Sequence, residues 1–132
     1  MTEKIPEDLL DLVERPLFAS VGTIRPNSTV QVNPMWFVYD GEMVRLTHNR
    51  TRAKYRNLQL NPSMCLLIVD PDNPIRYLEI RGRLVETTPD PEGEFFVKLA
   101  GRYGMQDAPP PPDKEDRVVL VMSIDRTTRF HG

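Results

Sequence analysis

The chain has 132 residues, of which 27% are charged, and a formal net charge of -2. That length suits one ordinary domain around one core, and the mild acidity argues against broad binding of duplex nucleic acid. No run reaches the roughly 18 apolar residues that span a bilayer, and the first residues lack the basic-then-apolar order of a secretory signal, so residues 1–132 are expected to form one cytoplasmic domain with no membrane partner.

Leu9, Leu10, Leu12 and Val13 lie at helical spacing within Glu7–Glu14, and Pro16 ends the run, which predicts a short amphipathic helix over a sheet edge. Leu17–Ile24 and Thr29–Val38 read as strands on either side of the turn signal Arg25-Pro-Asn-Ser28, giving a hairpin. Pro34 interrupts the second strand; without an N–H to donate, it should mark a bulge or an edge position. Asp40-Gly41 turns the chain into a third strand, Glu42–His48. Thr51–Leu60 is predicted as a helix, with Thr51 as its cap and Asn61-Pro62 as its stop.

Met64–Val69 is apolar throughout and is expected to be a central strand. The turn residues Asp70–Pro74 lead into a fifth strand, Arg76–Thr87, which Gly82 should bend. Phe95, Phe96, Leu99 and Ala100 give Pro91–Met105 a helical apolar face. Pro109–Pro112 is a stiff connection before a sixth strand, Arg117–Ile124, and Thr127–His131 reads as a closing segment at the sheet edge. Six antiparallel strands in hairpin order with marginal helices predict a mainly β fold, a small antiparallel barrel. The glycines are scattered, so no Gly-rich phosphate loop is present.

The chemistry concentrates in Arg50-Thr-Arg-Ala-Lys-Tyr-Arg56, four cations in seven residues, within a stretch from Met43 to Val69 that holds no Asp or Glu. Uncompensated cations at a helix start, where backbone N–H groups are free, suit a bound anion such as a phosphate; the bland alternative is a solvated basic helix face. Tyr55 is the one aromatic residue in the cluster, too few for a single-strand nucleic-acid platform. Cys65 is the only cysteine and reads as a small core residue. His48 and His131 stand far apart without carboxylates at ligand spacing, so no metal site is expected. No nucleophile and base occur at recognisable spacing, and no catalytic side chain is assigned.

The hairpin Ser20-Val-Gly-Thr-Ile24 and Gln31-Val-Asn-Pro-Met-Trp-Phe37, then Thr47, then Arg52-Ala-Lys-Tyr-Arg-Asn-Leu58 with Asn61-Pro62, resembles the pyridoxamine phosphate oxidase-like split-barrel family. Within it, the pattern is most similar to the branch that uses the deazaflavin coenzyme F420. The resemblance implies a homodimer of six-stranded antiparallel split β-barrels with the cofactor in a groove between subunits. It implies that Arg52 and Lys54 hold the cofactor phosphate with Arg56 and Thr47 close by, and that Gln31, Asn33 and Pro34 line the ring system. Tyr77, with Arg76, would complete the groove from the partner subunit.

Trp36 and Met35 are pocket candidates; Trp36 equally suits a core or dimer anchor, and Tyr77 a cross-strand pair. His48 reads as a hydrogen-bonded strand-end histidine, with a place beside the phosphate as its other role. The implied activity is hydride transfer from reduced F420 to an electron-poor double bond in a small, fairly apolar substrate, the proton coming from water or a nearby hydroxyl. Because the cofactor carries the electron chemistry, the protein need only grip and orient it. FMN in place of F420 stays open, since both carry a phosphate; the acidic tail of F420 would give Arg50 or Arg56 a partner. A non-catalytic carrier of a cofactor, haem or tetrapyrrole stays open too.

Overall fold

A computed structural model describes residues 2–130. Its strands are β1 (Ala19–Ile24), β2 (Val30–Met35), β3 (Val38–Tyr39), β4 (Val44–Asn49), β5 (Ser63–Asp70), β6 (Asn73–Pro89), β7 (Arg117–Met122) and β8 (Arg126–Thr128). They form one antiparallel sheet in the order β2-β1-β5-β6-β7-β4-β3, with β8 added against β6. Eight strands replace the six expected. The second predicted strand breaks at Trp36 and Phe37 into β2 and β3, and those two residues join the opposite ends of the sheet order. The sheet therefore curls on itself without closing through hydrogen bonds.

Hairpin order fails between β4 and β5 as well, and between β7 and β8, since β8 joins β6. β7 inserts between β6 and β4, so β4 and β5, consecutive in the chain, are not neighbours. The connection between them carries α2 (Ala53–Leu60). Two further helices, α1 (Leu10–Glu14) and α3 (Glu94–Arg102), complete the fold. The closing segment is realised as β8; His131, expected within it, lies outside the described residues.

Period-two alternation builds the core. Met64, Leu66 and Ile68 of β5 turn inward with Leu78 and Ile80 of β6 and Val44 and Leu46 of β4, and α1 adds Leu12 and Val13. Gly82 sits where β6 leaves β5 and takes up β7. A Cβ there would lie 1.8 Å from the Ser123 carbonyl oxygen, so only glycine lets one strand serve both halves of the sheet. Pro34 occupies the edge strand, and the β1–β2 register runs unbroken past it, Ser20 facing Pro34 and Val21 facing Asn33. The edge expectation holds and the bulge does not, because an edge strand leaves the missing N–H without consequence.

The end of α3 fastens the chain's first third. The Arg102 guanidinium donates to the carbonyls of Phe37 (2.9 Å), Glu14 (3.0 Å), Val13 (3.0 Å) and Arg15 (2.9 Å). The Tyr103 hydroxyl accepts the Phe37 N–H at 3.0 Å and donates to the Leu17 carbonyl at 2.7 Å. These bonds hold the two-residue link between the sheet ends.

Candidate binding site

Asn49, the last residue of β4, sets up the helix start. Its Oδ1 accepts the Thr51 N–H at 2.7 Å and the Thr51 hydroxyl at 2.6 Å, and its Nδ2 donates to Asp113 at 2.6 Å. Thr51 is thereby engaged backward and does not cap α2. Arg52 occupies the cap position, no side chain caps the helix, and no acidic residue stands in its first turn. Backbone N–H groups at such a start favour an anion.

The four cations of the cluster have different fates. Arg50 is answered by Asp116, 3.1 Å away and far along the chain, so local absence of carboxylates was not absence of a partner. Arg52 and Arg56 are exposed and make no ion pair among the described residues. Lys54 is 2% exposed, and its Nζ has no hydrogen-bond partner. Burial pushes its ammonium below the ordinary lysine range, and Arg25 in the β1–β2 turn adds repulsion. An unpaired buried ammonium costs several kcal/mol as an order of magnitude, which a fold tolerates where a ligand supplies the counter-charge.

His48 is not the satisfied strand-end histidine expected: its Nε2 is buried and unpartnered. Burial, then Lys54, Arg117 and Arg52, lower its pKa to about 4. Arg117, at the start of β7, donates to the Thr47 hydroxyl at 2.9 Å and pairs with Asp113 at 3.3 Å. Its guanidinium lies 5.0 Å from the centre of the Phe96 ring, and its Nε is also buried without a partner. Phe96 in turn meets Trp36, which stacks on Tyr103 at 5.1 Å. Trp36 thus belongs to a partly exposed aromatic group continuous with the Arg117–Thr47 pair.

On β2, Gln31 and Asn33 share one face. The buried Asn57 amide of α2 donates to Gln31 at 2.9 Å and to Thr23 at 3.2 Å, while the Asn33 side-chain oxygen is buried with no partner. Pro34 falls on the other face, with the exposed Val30 and Val32. Buried side-chain polar atoms are nearly always paired. Of the five unpartnered ones among the described residues, those of Asn33, His48, Lys54 and Arg117 come from β2, β4, α2 and β7; the fifth belongs to Asp125.

The structure brings Gln31 and α2 together through Asn57. On β4, His48 falls on the face of Val44 and Leu46, whereas its neighbour Thr47 falls on the other face and meets Arg117. Tyr77 is elsewhere in the chain, lining a groove of about 490 Å³ with Val32, Cys65, Leu67 and Val69 on the outer sheet face. Arg76 lies beside Tyr77 at a neighbouring, smaller cavity of about 220 Å³, with its guanidinium engaged by Asp11, Asp70 and the Asp8 carbonyl. Reading the sequence missed Asn57, Thr23, Arg117 and Asp113. Asn57 and Thr23 lay within motifs already singled out, though with no role given to them; Arg117 and Asp113 join the site through tertiary pairing.

Residues 5–130 match the family model described as pyridoxamine 5'-phosphate oxidase. The chain belongs to this family. A solved structure named F420 reductase is 47% identical over 94% of this chain and 98% of its own, with a TM-score of 0.91. A conserved hypothetical protein from Mycobacterium tuberculosis is 22% identical over 96% of this chain and 84% of its own, with a TM-score of 0.73. General stress protein 26 from Bacillus anthracis is 15% identical over 94% of this chain and 97% of its own, with a TM-score of 0.66. The last two share the fold. No curated protein matches the chain. The split-barrel architecture is that of the family, with an open eight-stranded sheet as its form here, and the family is of oxidoreductase type. Among the described residues no helix is long and apolar enough to cross a membrane, and no group of three or more His, Cys, Asp or Glu stands ready to hold a metal.

Proposed function

We propose that the chain is an oxidoreductase that uses reduced coenzyme F420 to reduce an electron-poor double bond in a small, largely apolar substrate. The observation that carries this is the buried, unpartnered Lys54 ammonium beside the uncapped start of α2. It supports a phosphate-bearing ligand, and the 47% identity to a structure named F420 reductase favours F420 as that ligand.

Lys54 and Arg52 would clamp the phosphate. Arg56 is exposed on the same helix and suits the acidic tail beyond it, while Thr47 stands on Arg117 at the edge of the seat. Gln31, fixed by Asn57, and Asn33, with its free oxygen, would orient the ring system along β2. Bound in its reduced form, F420 supplies a hydride. Trp36 and Phe96 offer an apolar wall for the substrate and for excluding water, and a proton from water completes the reduction.

The outer face of β2, β1, β5 and β6 exposes Val30, Val32, Leu67 and Val69, an apolar surface that suits a second copy of the chain. In such a homodimer Tyr77, on that same face, would help to complete the groove from the partner subunit.

Titration with F420 and FMN, followed by mixing reduced F420 with enones and quinones, tests the reading. Micromolar or tighter F420 binding and accelerated oxidation are expected. FMN binding in its place would replace the cofactor, and F420 binding without turnover of any acceptor would leave a carrier.

A further inference from the structure

We propose that His48 is a working member of the anion seat: when a phosphate group occupies the seat, the imidazole takes up one proton from solvent and donates from Nε2. The inference rests on the reading that this site takes a phosphate-bearing cofactor, and adds a residue and a proton to it.

The geometry starts from β4. Val44 and Leu46 are fully buried, and period two puts His48, itself half-buried, on their face, one residue before β4 ends and the chain leads into α2. Its Nε2 is shielded from water yet meets no acceptor and no donor. An imidazole nitrogen in such a place is normally bonded to a carbonyl or carboxylate. The charged groups that act on it are Lys54 and Arg52 from α2 and Arg117 from β7, all cationic. On the β7 side the carboxylate of Asp113 is engaged by Asn49 and Arg117.

With the seat empty of an anion, desolvation and these three cations keep His48 neutral. An anion placed against Lys54 changes the sign of the nearest charge and gives Nε2 an acceptor. Both effects favour the imidazolium. Linkage then requires reciprocity: whatever the anion adds to the proton affinity of His48, the proton adds to the affinity for the anion. Affinity therefore falls as pH rises between the midpoint of the free protein, about 4, and the higher midpoint of the complex, by up to about tenfold per pH unit. Above the second midpoint it is flat.

The test follows the His48 imidazole by nitrogen-detected NMR with and without saturating F420, assigned with His48→Asn. Calorimetry of F420 binding in two buffers of different protonation enthalpy accompanies it. The expected result is a midpoint raised by at least about one unit and net proton uptake in the wild-type chain that disappears in His48→Asn. Comparing the two chains cancels the ionisations of F420 itself. A midpoint that stays near its free value with F420 bound, or uptake that persists in His48→Asn, overturns the role of His48 and leaves the cofactor assignment standing. If neither F420 nor FMN binds, inorganic phosphate is the probe: a raised midpoint then keeps the seat while the cofactor reading fails, and no movement overturns both. The NMR measurement on the wild-type chain stands even if the variant folds poorly.

Discussion

Two clusters of cations in this chain are built on opposite principles. Near the start of β6, Arg76 reaches Asp70 at 2.9 Å together with Asp11, Arg15 leans toward the same carboxylates, and Arg129 holds Asp8. Every guanidinium there has an acid, and bonds from Arg76 and Arg129 hold Asp11 and Asp8 below the usual carboxylate range; for Asp70 the Asp72 N–H does most of this, then Arg76. At the start of α2 the opposite holds: Lys54 is buried unpaired and Arg52 and Arg56 have no acid among the described residues. The first cluster ties α1 and the β5–β6 turn together; the second keeps a charge imbalance that no described residue cancels.

Substitution should split the two. Arg76→Met should lower Tm by several degrees, the largest fall expected, because it takes from the little-exposed Asp70 carboxylate its hydrogen-bonded cation and leaves only Arg15, 3.9 Å away; F420 affinity should stay within about twofold. A stability loss accompanied by loss of binding would mean the clusters are coupled.

Acid separates them next. The folded pKa of His48, about 4, lies below its ordinary 6.5, so the unfolded chain binds the extra proton in that interval. Stability should fall from pH 6.5 to 4, by on the order of 2 kcal/mol once partial exposure is allowed for. The lowered carboxylates act in a different window: their contribution is intact above their ordinary 3.8 and disappears only as pH drops through their folded values. Denaturant melts of wild-type and His48→Asn across pH 4–7 should show the upper decline in the wild type alone.

Lys54→Met carries the sharpest sign. Removing an unpaired buried charge while keeping the stem should stabilise the free protein by about 1 kcal/mol, and should weaken F420 binding roughly ten- to a hundredfold. Stability and affinity moving together would contradict the account of Lys54. Smallest is Arg50→Ala: its exposed pair with Asp116 should change stability by less than about 0.5 kcal/mol and leave affinity nearly unchanged.

The contrast also explains what could be read before the structure. The strand segments and the acid-free helix are local patterns, so the core strands, the stop at Asn61 and the phosphate-suited cluster were legible. Which cation would be buried was not. α2 alternates polar and apolar residues without a clean face, so nothing in its periodicity separates Lys54 from Arg52 or Arg56. Pairings such as Arg50 with Asp116, or Arg117 with Thr47, join residues more than sixty positions apart and leave no trace in spacing. β2 and β3 were read as one strand because Trp36 and Phe37 are good strand residues; the bonds that hold this break come from Arg102, the last residue of α3, and from Tyr103 just after it.

Those two neighbouring side chains impose an order on assembly. Carbonyls from residues 13, 14, 15, 17 and 37 all wait for donors that are synthesised only when the ribosome reaches positions 102 and 103. The amino-terminal third emerges without these donors, and a chain interrupted before position 102 would leave its earliest segments without their clasp.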